Sequence, residues 1–416
     1  MRRAVCIVSP GNLASNPRVL KEADALHGAG YDVTAIVCDY NAVLRQADDE
    51  IEAGVPWKVI RVSRSRGEGL RARAFEQLAR LLSALGIQVP LSVAALSART
   101  PVGALMRRAP EIAADLYIAH YVAALPAAAA AARRHRALIG FDAEDFHSGE
   151  GTDAPDDEFR MRMIRTVERA ILPSCVHMTA AAPLIGKAYA ECYGVVCPAT
   201  VLNVFPLSMA PHHRRAAGAA EETGTLRAYW FSQTIGLDRG LQAFIKAMSL
   251  AKTRVSLDIR GGDRWGHGDA LMSIAASLGL AERVRLLPMA APAEMVRLAA
   301  EYDIGLSLET DVSENRCICL TNKIFTYLLA GVPVIMSDTL GQSLLAPDLG
   351  PAARLCGLDD PLGLAATLDD LAPAARLEEA SRAAWDLGRE RYNWEREQQV
   401  LLESVAAAFV GRKGGS

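Results

Sequence analysis

The chain is poor in several of the features that mark specialised proteins. Eight cysteines in 416 residues are too few for a disulfide framework. Most lie inside apolar runs, as Cys6 and Cys38 do, where a free thiol acts as a small buried hydrophobe in a reducing compartment. Cys317-Ile-Cys319 has neither zinc spacing nor a second Cys or His pair nearby. No metal ligation is expected. Neither sign of charge dominates. Lys plus Arg number 45 and Asp plus Glu 48, a net charge of −3, without the basic excess of a nucleic-acid binder. MRRAVCIVSPGN at the start has too short an apolar stretch for a secretory signal, so a cytoplasmic location is expected. The uncharged stretch Leu81–Ala98 reaches only the lower limit for a membrane span, and Pro90, Gln88, Gly86 and three serines interrupt it. No G-x-G-x-x-G follows the first apolar run, which argues against a nicotinamide cofactor.

What is present is alternation. Apolar runs that suit buried strands occur at Ala4–Ser9, Val33–Cys38, Leu116–Ala119, Ala137–Asp142 and Val176–Ala180, with a further strand ending at Asn203. They are separated by stretches of helical period such as Asn16–Asp32, where Val19, Leu20, Ala23 and Leu26 share a face. Pro206–Gly224 is small, polar and unpatterned, as a linker is. Alternation then resumes with strands expected at Arg227–Phe231, Val255–Arg260, Val284–Leu287, Ile304–Leu308 and Val332–Ser337. This order predicts an α/β chain with parallel sheets. It implies two Rossmann-like domains facing a cleft, residues 1–208 and 209–390, followed by a C-terminal segment 391–416 with a helix at Trp394–Phe409.

Open parallel sheets bind ligands beyond the carboxyl ends of their strands, which directs attention to the residues that follow strands. Gly11, Asn12, Asn16 and Arg18 surround the first strand-to-helix turn, where free N–H groups and a cation suit an anion or sugar hydroxyls. A plain turn with a solvated arginine is the alternative. His120 follows the fourth-strand run and reads as either structural or functional. Asp142, Glu144, Asp145 and His147 cluster after the next strand; such a group binds hydroxyls, acts as a base, holds a metal or caps a helix. In the second half, Gln233 and Arg239 lie in the first strand-to-helix connection, and Gly262 and Asp263 follow the next strand. Thr321, Asn322 and Lys323 open a helix that Gly331 stops. Helix starts beside a cation suit a diphosphate.

The NPRVLKEADALHGAGYDV opening, the NKIFTYLLAGVPVIMSD block and the two-half layout resemble GT-B fold glycosyltransferases, especially the family 4 type, over nearly the whole chain. The resemblance implies transfer of a sugar, usually with retention, from a nucleotide-sugar such as a UDP- or GDP-sugar. The acceptor would be a glycan or lipid-linked glycan, in surface polysaccharide or glycoconjugate synthesis. It implies no cofactor and no metal, and a final helix crossing back to the N-terminal half. Carried over by position, His120 contacts the transferred sugar and Gly11 faces the diphosphate. Arg239 binds the diphosphate, and Asn322 and Lys323 lie beside the nucleotide. Asp142 and Asp145 are the bases to consider if the anomer is inverted. Asn12, Asn16, Arg18, Glu144 and His147 are assigned to the acceptor side. The chain departs from the pattern in two places. Gln233 and Thr234 stand where the family has an arginine, and Ile318 and Thr326 stand where it has a pair of glutamates. Glu309 and Glu314 are the nearby acids that would replace them. The losses leave open a non-catalytic sugar-binding protein or a nucleotide-sugar epimerase on the same fold. Arg64, Arg66, Arg71, Arg73, Arg80, Arg99, Arg107 and Arg108 flank Leu81–Ala98, a pattern that suits peripheral contact with an anionic membrane; a buried helical hairpin is the alternative.

Overall fold

The computed structural model describes residues 2–63, 67–97, 101–152, 154–215 and 224–411. The chain divides into two compact units. One comprises the residues up to Val201 with Ser313–Asn315 and the chain from Gln398 onward; the other comprises Leu202–Val312 and Arg316–Glu397. Of the expected linker, residues 216–223 lie outside the described residues.

The first unit contains β1 (Ala4–Val8), α1 (Pro17–Gly28), β2 (Asp32–Asp39), α2 (Arg45–Gly54), β3 (Lys58–Ser63), α3 (Glu68–Ala84), α4 (Leu91–Ser97), α5 (Val102–Arg108), β4 (Leu116–His120), α6 (Leu125–His135), β5 (Leu138–Ala143), α7 (Pro155–Ile171), β6 (His177–Ala180), α8 (Pro183–Tyr193) and β7 (Ala199–Thr200). Its seven strands are all parallel, in the order β3-β2-β1-β4-β5-β6-β7. Continuous apolar runs such as Ala4–Val8 serve strands covered on both faces. Residues Val5–Val8 are 0–1% exposed. Helix α1 starts where Asn16 presents its side-chain oxygen to the backbone N–H groups of Arg18 (3.1 Å) and Val19 (3.2 Å), with Pro17 at the first helical position.

The second unit repeats the plan with β8 (Leu226–Thr234), α9 (Leu241–Leu250), β9 (Val255–Gly262), α10 (His267–Ser277), β10 (Val284–Leu287), α11 (Met295–Ala299), β11 (Ile304–Ser307), α12 (Glu314–Ile318), α13 (Asn322–Ala330), β12 (Val334–Ser337), α14 (Leu340–Leu349), β13 (Ala353–Cys356), α15 (Pro361–Leu371) and α16 (Ala374–Glu390). Its parallel sheet has the order β10-β9-β8-β11-β12-β13. The last helix, α17 (Trp394–Gly411), begins in this unit and continues into residues that cluster with the first. In both sheets the strand order reverses beside the first strand of the unit, at β1/β4 and at β8/β11. Doubly wound folds place their ligand crevices at such reversals.

Strands β3 and β13 are not anticipated by apolar runs. Both are sheet edges in which charged residues interrupt the pattern, Lys58 and Arg61 in one and Arg354 in the other. The uncharged Leu81–Ala98 stretch forms the end of α3, a turn and α4, with Val93, Ala94 and Ala95 buried; Ala98 lies outside the described residues. No described helix is long and apolar enough to cross a membrane. Of the flanking arginines, Arg64, Arg66 and Arg99 also lie outside the described residues, while Arg80, Arg107 and Arg108 are ion-paired to Glu76, Glu68 and Glu111.

One close approach seats the helix that matters most below. The Tyr327 ring of α13 lies on β11 at Gly305, where a Cβ would fall 2.2 Å from the ring. The Tyr327 hydroxyl donates to the Tyr229 carbonyl at 2.8 Å. Gly305→Ala is expected to destabilise the second unit by about 1–3 kcal/mol through overpacking, read as a lower urea midpoint at unchanged slope.

Candidate active site

Around the β1/β4 reversal the first unit buries a dense charge cluster. Arg18, on α1, grips Asp142 at the end of β5 through Nε (2.5 Å) and Nη2 (2.7 Å), and its Nη1 donates to the Val201 carbonyl at 2.7 Å. Thr179 of β6 also donates to Asp142. His120, at the end of β4, has Nδ1 2.9 Å from Glu144 and 3.3 Å from Asp142, and Nε2 3.1 Å from Glu22 of α1. Arg18, His120 and Asp142 are 3%, 0% and 0% exposed. Burial alone would hold the His120 imidazole neutral. Glu22, Asp142 and Glu144 outweigh it and lift the pKa to about 10. Burial would likewise raise Asp142, but the Arg18 guanidinium holds its carboxyl far below the usual carboxylate range.

This geometry corrects several expectations. Asp142 is not a base: both its oxygens are held by Arg18 and it stays ionised. Arg18 is not a phosphate or acceptor ligand, because its whole fork is used inside the unit. His120 faces no open space. It is a buried imidazolium donating to carboxylates on both sides. Asn12 donates to Asp48 (2.7 Å) and accepts from the Asn41 backbone (3.1 Å). Asn16 caps α1 and donates to Glu144 (2.7 Å). Both asparagines are spent on holding loops. Gly11 accepts from the Cys38 backbone at 3.0 Å. Glu22, His120 and Asp142 offer ligand atoms close enough for a metal, but Arg18 and the protonated imidazole already occupy the same carboxylates.

The residues beside this cluster keep chemical potential. Asp145, after β5, is partly buried and accepts from the Asn315 amide at 2.9 Å. Burial, with Glu150 and Glu144 nearby, lifts its pKa to about 6, the range of a general base at neutral pH. His147 donates from Nδ1 to Glu150 at 2.7 Å, and its Nε2 is buried without a hydrogen-bond partner. Burial opposes its charge, but Glu150 prevails and the pKa rises to about 9, so at neutral pH Nε2 carries a proton. Tyr121, directly after His120, sits at φ 62°, ψ 153°, a strained conformation for a residue with a Cβ. Pro10, Tyr121 and His147 border a cavity of about 550 Å³ whose walls come from α3, α4, α6 and α7.

At the β8/β11 reversal the second unit gathers cations. Glu309, after β11, is 1% exposed. Its Oε1 accepts from Lys323 Nζ at 3.0 Å, and its Oε2 from Arg239 at 3.3 Å and from Arg316. Its backbone N–H donates to Ser337 at 2.8 Å. Three cations thus face one carboxylate, beside the N-terminus of α13. Arg239 Nε is buried without a hydrogen-bond partner among the described residues. Glu309 is therefore the counter-ion of this group, not a free ribose ligand. Thr326 is wholly buried and its hydroxyl donates back to the Asn322 carbonyl, so nothing at that position replaces the missing glutamate. Glu314 clusters with the first unit, which removes it from the nucleotide side. Asp263 accepts from the Gly268 backbone at 3.0 Å and caps the start of α10. Thr321 pairs with Ser307 (3.1 Å), and Gln233 is exposed. Arg316 is the residue sequence reading misses, because it lies in a five-residue helix with no periodic signal.

No protein-family model matches the chain, and no curated protein matches it in sequence. In structure it is similar to HepE from Anabaena, solved with UDP and glucose (TM-score 0.70, 14% identity, covering 98% of this chain and 100% of that one). It is similar to sucrose-phosphate synthase from Thermosynechococcus elongatus (TM-score 0.70, 13% identity, 99% and 100% covered). It is also similar to TarM (TM-score 0.67, 10% identity, 97% and 99% covered). These likenesses over nearly the full length establish the GT-B fold.

The buried imidazolium gives a signed pH dependence. A group whose pKa is raised on folding contributes stability below its unfolded value, about 6.5, and that contribution is lost as pH climbs toward its folded value, about 10. Thermal unfolding of the native chain is expected to fall between pH 7 and 10. His120→Gln should unfold at lower temperature at pH 7 and lose less of its remaining stability over the same interval.

Proposed function

We propose that the chain is a nucleotide-sugar-dependent glycosyltransferase. One observation carries this reading: Arg239, Arg316 and Lys323 converge on the single carboxylate of Glu309 at a strand-order reversal, beside a helix N-terminus. A site with three cations and one anion has positive charge to spare. A nucleoside diphosphate supplies the matching negative charge, which grows as it departs. The missing family arginine before Arg239 is thereby offset by Arg316. UDP is the nucleotide to test first, since it occupies the HepE structure.

In the reaction, the bond from the anomeric carbon to the diphosphate breaks with its electron pair leaving on the diphosphate oxygen. An acceptor hydroxyl forms the new bond to that carbon and gives up its proton. Under retention the departing diphosphate takes the proton on the same face. Under inversion Asp145 is the base, since Asp142 is locked. The acceptor side falls to the first unit, where Glu144, His147 and Tyr121 remain available. A glycan or lipid-linked acceptor and a place in glycoconjugate synthesis follow from the family resemblance. The peripheral membrane contact has less behind it, because Arg80, Arg107 and Arg108 are each neutralised by a carboxylate.

Two outcomes are expected. UDP should raise the unfolding temperature by mass action, and Arg239→Ala should weaken UDP affinity about tenfold or more, in line with losing one charge-assisted contact. Slow UDP release from UDP-glucose identifies an enzyme; a UDP-induced shift without release under any acceptor identifies a binding protein. Product analysis by NMR should show the anomer retained, with Asp145→Asn keeping its rate within about tenfold. A loss of about 10²–10⁴, together with disappearance of a rate increase as pH rises through about 6, would assign Asp145 as base and the reaction as inverting.

A further inference from the structure

The cavity of the first unit is the largest feature the reading above leaves without an occupant. It lies beside the β1/β4 reversal, bordered by Pro10 and Tyr121, and has a volume of about 550 Å³, within the range that encloses a drug-sized molecule. Its walls are apolar: Ala94 and Ala95 of α4, Pro126 of α6, and Met163, Ile164 and Val167 of α7. Its charged neighbours are already matched. Arg80 pairs with Glu76 (3.1 Å) and Asp156 (3.0 Å), and Arg160 with Asp157 (3.0 Å). A saccharide placed here would leave most of its hydroxyls without partners, each at a cost of about 1–3 kcal/mol. A second charged group would find no free counter-ion.

One polar atom at the cavity is unspent. The His147 side chain is 7% exposed, its Nδ1 is committed to Glu150, and its Nε2 has no partner among the described residues. The ring is held between Tyr121 (centroids 5.4 Å apart) and Phe141 (6.5 Å). With Nδ1–H given to Glu150 in the imidazolium form, Nε2–H is a donor in search of an acceptor oxygen. The strained backbone of Tyr121 points the same way, since such conformations persist where the surroundings fix a side chain for use. Here it sets an aromatic wall between the buried charge cluster and the cavity.

We infer that this cavity binds the acceptor, and that the acceptor is a compact, uncharged alcohol or phenol with an apolar body, one oxygen of which accepts a hydrogen bond from His147 Nε2. The inference rests on the glycosyltransferase reading for the word acceptor but not for the binding site itself. The transfer it implies is balanced: the aglycone oxygen bonds to the anomeric carbon, the carbon–diphosphate bond breaks, and the aglycone proton ends on the diphosphate.

The test uses the full chain with UDP-glucose as donor and 4-methylumbelliferone, 1-octanol and maltose as acceptor probes. UDP release should rise at least tenfold with 4-methylumbelliferone and not with maltose, with the glucoside detected by mass spectrometry. Stimulation by maltose alone, or by octanol alone, overturns the inference in favour of a glycan or an alkyl-chain acceptor. Binding is read separately, without donor, on protein carrying ¹³C-methyl methionine. 4-Methylumbelliferone should shift the Met163 methyl signal, and His147→Gln should weaken that binding by tenfold or more. An unmoved Met163 signal at saturating probe overturns the inference whatever the His147 variant does. If no UDP is bound or released while Met163 still responds, the enzymatic reading fails and the apolar site stands. If UDP is released and Met163 is silent, the reverse holds.

Discussion

The first unit depends on one ion pair that never meets water. Arg18 and Asp142 lie 124 positions apart in sequence and form a two-pronged contact at full burial. Removing two charges from solvent is expensive, and attraction offsets the cost only when geometry is good and every remaining donor and acceptor is met. Here Thr179 and the Val201 carbonyl complete the set, joining α1, β5, β6 and the chain beyond β7 at one point. The Asp142 charge then helps hold the His120 imidazole protonated, and His120 in turn ties β4 to Glu22 on α1. Much of the unit's architecture at the carboxyl ends of its strands follows from this chain of dependence.

The second unit solves the opposite problem with similar parts. It also buries a carboxylate at its strand-order reversal, but Glu309 has three cations around it, not one. The first cluster is closed, with its arginine fully spent; the second is left with positive charge in excess. A closed cluster holds a scaffold in place. A cluster with surplus charge binds something that carries the missing sign. The contrast explains why residues of the same type, all following strands, divide between structure in one half and ligand binding in the other.

The alternation of strands and helices is legible because parallel strands covered on both faces must be apolar throughout, and runs such as Ala4–Val8 and Val284–Leu287 stand out. Edge strands escape the same rule: β3 and β13 carry Lys58, Arg61 and Arg354 where a central strand would carry valine. The candidate site is only half legible. Position after a strand singles out Arg18, His120 and Asp142 as readily as Arg239 and Lys323, since a sequence displays charges and not their partners. Arg316, Tyr121 and Glu22 give no local sign at all. What distinguishes them is a neighbour dozens or hundreds of positions away, or a backbone angle.

That distance has a consequence for how the protein is made. Arg18 reaches its last partner, the Val201 carbonyl, across 183 residues. Closing contacts of such separation is slow, because the loop entropy is lost before the contact returns anything. On the ribosome, at about 5–20 residues per second, α1 emerges well before β5 and β6 exist to receive it. Until they arrive, its arginine and Glu22 stay in water. The first half of the chain therefore has no finished core of its own in any shorter form: a nascent segment that stops before Val201 carries the charges without the partners that allow them to be buried.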